Sequence, residues 1–182
     1  MNPPYPNISI DLTLDRPNGK DVLTAVLHSI LFHRLFGCVK PQAFEVLDVT
    51  MPGVSDPDIE QIIRDKVDFF YKAVEGEPTK RGQVTSSFTK KQRKSSWFSV
   101  YASSEEVPWE QWTITATIQS LSSRQKAGND AELSQTLQKT LTTILMHTSS
   151  EQGRSAVPLI TSASGISPFP LKITVKVGSA EG

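Results

Sequence analysis

Three histidines, one cysteine and scattered carboxylates are the residues of this chain that could do chemistry, and their spacing argues against most of it. His28 and His33 are separated by about 140° around a helix at the usual 100° per residue, so they cannot chelate one metal as an i, i+4 pair would. Both are expected to fill amphipathic positions with the ring tip outward. Glu105 and Glu106 form an adjacent carboxylate pair on a loop with no histidine beside it, which reads as a solvated pair and not as an acid/base couple. Asp56 and Asp58 are explained by helix capping and the helix dipole. Cys38 has Lys40 nearby but no base to activate it. Gly19-Lys20 lacks the upstream glycine and following hydroxyl of a phosphate loop, and no Gly-x-Ser-x-Gly elbow occurs. No catalytic set, metal site or cofactor emerges from these patterns, and an enzyme is not expected.

A different kind of signal lies between Thr79 and Ser104. That stretch holds six basic residues and no acidic one, and it carries Trp97, Phe98 and Tyr101 in a polar setting with no obvious core to enter. Aromatic side chains held out in water mark contact surfaces. Lys90, Lys91, Arg93 and Lys94 interleaved with aromatics could hold single-stranded nucleic acid, with cations on phosphates and rings on bases. They could also meet an anionic membrane, with Trp97 and Phe98 wedged at the interface. A third reading is a solvated strand end whose cations keep an edge from aggregating.

The formal net charge is zero, so the rest of the chain sums to −6 against this local +6. Charge asymmetry, not net charge, is therefore the feature to explain. At 182 residues, with 37% hydrophobic and 21% charged residues, one soluble domain spanning 1–182 is expected. A single cysteine permits no intrachain disulfide and fits a reducing compartment. Met1 to Pro6 lacks a basic region followed by an apolar block, and the apolar stretch Val22–Phe36 is broken by His28, Ser29, His33 and Arg34. Neither a secretory signal nor a membrane span is expected, and the chain is read as cytoplasmic.

The elements that must position the basic-aromatic stretch follow from periodicity. Ile8, Ile10, Leu12 and Leu14 alternate with polar residues as a half-buried strand, and Pro17-Asn18-Gly19 turns the chain. A helix is predicted over 21–36, then a short strand between Phe44 and Val49. Asp56-Pro57 opens a second helix that ends at Gly76. Val84 to Lys91 reads as a strand, and Trp112 to Ile118 as a stronger one with a threonine outer face. Trp112 shares the parity of Ile114 and should anchor the core, while Trp109 should cover the other sheet face or its rim. Gly128-Asn129-Asp130 is predicted to open a third helix, a Ser/Gly/Pro-rich connection covers 149–168, and Leu171–Val177 forms the last long strand. This order predicts an α+β fold, with three main helices on a mostly antiparallel sheet. The first helix is apolar on nearly every side: Val22, Leu23, Val26, Leu27, Ile30 and Leu31 suit a sheet, while Ala25, His28, Phe32 and Phe36 lie opposite. Either a second helix of the domain or a partner protein should cover that other face.

The run Lys90-Lys91-Gln92-Arg93-Lys94-Ser95-Ser96-Trp97-Phe98, followed by Val107-Pro108-Trp109-Glu110-Gln111-Trp112-Thr113, resembles the autophagy-related protein 101 family. Val26 to Arg34 is similar to that family's first helix, and Pro168 to Thr174 to its late strand. The resemblance implies a HORMA-like domain and a non-enzymatic adaptor of the autophagy-initiation kinase complex, acting at the phagophore assembly site. It implies heterodimerisation with the HORMA domain of autophagy-related protein 13, through a first-helix surface of Ala25, His28, Phe32, His33 and Phe36. It also implies that Trp97 and Phe98 form a finger that recruits downstream factors from an exposed loop of about 90–107. Nucleic acid is then not an expected partner, and membrane contact would be indirect or weak. Here the two finger aromatics adjoin, where the family commonly sets a proline between them, and the gap to Pro108 is longer. HORMA proteins that trap a peptide wrap a mobile C-terminal segment around it. With five residues after Val177, a single open-like conformation without such capture is expected.

Overall fold

A computed structural model of the chain describes residues 4–93, 104–162 and 165–182. The main layer is a five-stranded sheet in the order β1-β5-β4-β6-β7, built from β1 (Asn7–Asp15), β4 (Arg81–Arg93), β5 (Ser104–Gln119), β6 (Leu171–Val177) and β7 (Ala180–Glu181). Only β1 and β5 run parallel; the β5–β4, β4–β6 and β6–β7 pairs are antiparallel. One parity of each strand is buried (Ile10, Leu12, Leu14; Val84, Ser86, Phe88; Trp112, Ile114, Ala116; Ile173, Val175, Val177), and along the middle of the strands the other is mostly polar and at least partly exposed, with Asp15 and Thr89 as buried exceptions. The helices therefore cover a single face, as the threonine-rich alternation of β5 predicts. The α+β, HORMA-like layering is borne out.

Three long helices supply the second layer: α1 (Gly19–Arg34), α2 (Pro57–Gly76) and α3 (Ser123–Ser149). In α2 the Asp56 carboxylate accepts from Asp58 and Ile59 backbone N–H groups, with Pro57 in the first turn. The start of α3 differs from the sequence expectation. It lies at Ser123, where Ser122 and Gln125 form a capping box, and Gly128 sits inside the helix with open space around it. Asn129 and Asp130 are instead docking residues. Asn129 Nδ2 donates to Asp15 Oδ2 at 3.2 Å and Asn18 Nδ2 donates to Asp130 Oδ1 at 3.1 Å, tying α3 to the β1–α1 turn. The connection expected over 149–168 contains a short helix, α4 (Glu151–Ala156).

Part of the second apolar face of α1, around His28, is covered by an element that was not expected there. A two-stranded hairpin, β2 (Pro41–Val46) and β3 (Val49–Val54), lies across it. Leu47 (φ 48°) and Asp48 (φ 62°) make its two-residue turn, with both central residues in the left-handed region as such turns require. Ser29 Oγ donates to Pro52 O at 2.8 Å, and the His28 ring packs 4.6 Å from Phe44, so the hairpin is seated on α1. The Ser134 hydroxyl donates to Leu47 O and fastens the turn to α3.

Candidate functional site

The basic-aromatic stretch belongs to the longest hairpin of the fold. β4 and β5 pair from Arg81↔Thr117 out to Lys90↔Val107, Lys91↔Glu106, Gln92↔Glu105 and Arg93↔Ser104. The exposed loop expected over about 90–107 is thus paired strand at both ends, and only residues 94–103 lie between the arms. Trp97, Phe98 and Lys94 fall outside the described residues. Lys90 and Lys91 are exposed on β4, but Glu106 and Glu105 stand across the ladder from Lys91 and Gln92. Opposite charges across an antiparallel pair support the ladder, and they interrupt the continuous cationic strip that a nucleic-acid backbone would track.

The hairpin is anchored by a bulge. The register shifts between Phe88 and Thr89: Phe88 faces Glu110 and Thr89 faces Pro108, leaving Trp109 as the extra residue. Trp109 and Glu110, although adjacent, are consequently both buried. Trp109, expected at the other sheet face or rim, is instead in the core, 5.6 Å from the Phe88 ring, 5.4 Å from Phe169 and 6.4 Å from Phe36. Trp112 is fully buried, as its parity predicts.

Glu110 has no solvent exposure and gathers three elements. Arg34 Nε and Nη2 donate to its two carboxylate oxygens at 2.7 and 2.8 Å, a bidentate fork from the end of α1. Trp112 Nε1 donates to Glu110 Oε1 at 2.5 Å, and His147 Nε2 lies 2.9 Å from Oε2 near the end of α3. The Arg34 guanidinium also reaches Gly153 O in α4 at 3.2 Å and lies 5.9 Å from the Trp109 ring centroid. The buried charge is paired and multiply hydrogen-bonded, the arrangement that makes such burial tolerable. The base of the hairpin is thereby locked to the ends of α1, α3 and α4. The partners are 76 and 37 residues apart in sequence, so no local spacing announces this network.

On α1 the expected partner surface divides. Ala25 and His28 are both buried within this chain, His28 against Phe44 and Val54 of the β2–β3 hairpin, so neither side chain faces outward as the expected partner surface requires. The His28 ring points inward, contrary to an outward tip, because its Nδ1 accepts the Val54 backbone N–H at 3.3 Å. Phe36 is partly buried and contributes to the aromatic cluster beside Trp109 and Phe169. Phe32 and His33 are partly exposed, their rings edge-to-face at 5.2 Å, with His33 Nδ1 2.7 Å from Ser29 O. Among the described residues, no three metal-ligating side chains converge, and no helix is long and apolar enough to cross a membrane.

A family model described as autophagy-related protein 101 matches residues 11–164. The chain belongs to the autophagy-related protein 101 family. Curated members of that family share 31% identity over 111 residues with this chain in Schizosaccharomyces pombe and 31% over 102 residues in Arabidopsis thaliana. These alignments cover 61% and 54% of this chain, and the chain spans 59% and 46% of the lengths of the two relatives. Membership assigns the chain a role in autophagy. The matched span contains α1, the β4–β5 hairpin and α3 with α4, which are the elements that the Glu110 network joins.

Proposed function

We propose that this chain is a non-enzymatic adaptor of the autophagy-initiation kinase complex. It pairs with the HORMA domain of autophagy-related protein 13 and recruits downstream factors through Trp97 and Phe98. The observation that carries the reading is the family match across residues 11–164, taken with the place of the aromatic pair in the sequence, between the two paired arms of a hairpin whose base is locked. A rigid arm limits the ordering cost of presenting two aromatic anchors, which is where binding energy concentrates in interfaces. Phe32, His33 and the partly buried Phe36 are the expected contacts with the partner domain, while Ala25 is buried within this chain and His28 acts indirectly by seating the β2–β3 hairpin. Partners of this size bury roughly 800 Å² each. The protein would work in the cytoplasm and at the phagophore assembly site, without cofactor, and without nucleic acid as a partner.

Co-purification with the HORMA domain of autophagy-related protein 13 tests the pairing, and a failure to form that complex rejects it. Trp97→Ala with Phe98→Ala is expected to leave the melting temperature within about 2 °C of the parent and the heterodimer intact, while autophagic flux falls. A drop of ~8 °C or more would place the aromatic pair in the core instead.

A further inference from the structure

β4 is longer than the strand beside it. β6 pairs with β4 only from Gln83↔Lys176 to Phe88↔Leu171, and the last contact between them is Thr89 N–H donating to Pro170 O at 3.1 Å. Beyond that point the chain preceding β6 turns away. Ser167 Oγ accepts from the Phe169 backbone N–H and donates to Phe169 O, and the Phe169 ring enters the core. Residues Lys90 to Arg93 therefore have β5 on one side and no strand on the other among the described residues. Because Thr89 N–H points to the β6 side, strand alternation directs the N–H and C=O of Lys91 there too.

That edge opens onto a groove of about 620 Å³, within the range of ligand clefts. Lys90 and Lys91 form one wall; Leu159, Pro168 and Pro170 contribute to the other, and among the described residues no carboxylate lines it. Leu159 is 86% exposed, standing out from the extended segment that follows α4. Lysines on an open edge repel a basic strand and a second copy of themselves, which is how edges avoid indiscriminate pairing. They leave one class of strand favoured.

We propose that the open edge of β4 at Lys90–Arg93 accepts an extended acidic segment of a partner protein as an added strand. Its backbone pairs with Lys91, its carboxylates meet Lys90 and Lys91, and an apolar side chain rests on Leu159. This is strand addition at an edge, in which backbone bonds supply affinity and side chains supply selection. It requires no enclosing C-terminal segment, and it does not depend on what Trp97 and Phe98 bind.

The test uses a fluorescein-labelled peptide of eight alternating glutamates and valines, titrated by anisotropy with the full chain at low salt. Two controls replace the glutamates with lysine or N-methylate alternate valines so that they cannot donate. The parent peptide is expected to bind, with each control at least about tenfold weaker. Lys90→Gln with Lys91→Gln should weaken binding about tenfold. Glutamine is chosen because a glutamate at 91 would oppose Glu106 across the ladder. Leu159→Ser should weaken it further, and Trp97→Ala with Phe98→Ala should leave it unchanged. All altered side chains that the structure describes are exposed, so circular dichroism and melting should match the parent. No binding up to about 1 mM would overturn the proposal, as would equal affinity for the N-methylated peptide. So would lysine-dependent binding confined to phosphatidylserine vesicles, or sedimentation showing that a second copy closes the edge.

Discussion

Glu110→Ala is expected to destabilise the chain by about 3–5 kcal/mol, the cost of stranding a buried charge without its partner. Arg34 would be left with its guanidinium buried and with Gly153 O as its remaining named acceptor, while Trp112 Nε1 and His147 Nε2 would each lose the carboxylate. For a domain of this size each kcal/mol moves the melting temperature by roughly 2–4 °C, so a drop on the order of 10 °C should be seen in a thermal melt. The companion experiment replaces both ends of the fork, Arg34→Met with Glu110→Leu. Paired apolar substitution of a buried ion pair is often neutral or stabilising, so the double variant should be more stable than Glu110→Ala alone. Because the network joins the hairpin base to three helix ends, Glu110→Ala should also raise amide exchange along β4 near Phe88. A loss below about 1 kcal/mol would show that the carboxylate is not the clamp described above.

How much of this was legible in the sequence depends on the range of the interaction. Alternation located β1, β5 and β6, and Asp56-Pro57 located the start of α2, because those signals are local and repeat within a few residues. The start of α3 was legible too, in Ser122 and Gln125, but Gly128-Asn129-Asp130 offered a competing stop-and-start pattern. The pattern lost because Asn129 and Asp130 find their partners at Asp15 and Asn18, far away in the chain. Long-range pairing also explains the first helix. Its second apolar face was visible, but nothing in residues 41–54 says that a hairpin held by Ser134 will fold over it. The sequence carried β4 as far as Lys91, but its last residues, Gln92 and Arg93, and the start of β5 at Ser104 were hidden because these polar residues have poor strand propensity and gain their order from pairing with one another. Nothing in the alternation of this segment singles out Glu110, which lies between Trp109 and Trp112. It is the bulge at Trp109 that turns both neighbours inward.

His28 gives the second large expected effect, as a dependence on pH. Burial lowers its pKa from 6.5 to about 4, against the pull of the Glu60 carboxylate. Nδ1 accepts the Val54 N–H, a bond that needs the unprotonated nitrogen. The unfolded chain takes up a proton as pH falls through 6.5, whereas the folded chain resists until about 4. Stability from this residue is therefore complete above the unfolded value and declines steadily down to the folded one. At 1.36 kcal/mol per pKa unit the total is about 3 kcal/mol, lost between neutral pH and pH 4. The region first loosened should be β2–β3, since His28 holds Phe44 and Val54 to α1. His28→Gln keeps an acceptor for Val54 and cannot titrate, so it isolates this contribution from the carboxylates and the other histidines. Urea unfolding at pH 7.5 and pH 5 should show the parent losing about 2 kcal/mol more than His28→Gln over that interval. Parallel losses in the two proteins would mean that His28 takes up its proton in the folded state at ordinary pH, and that the hairpin's seat on α1 is open to water.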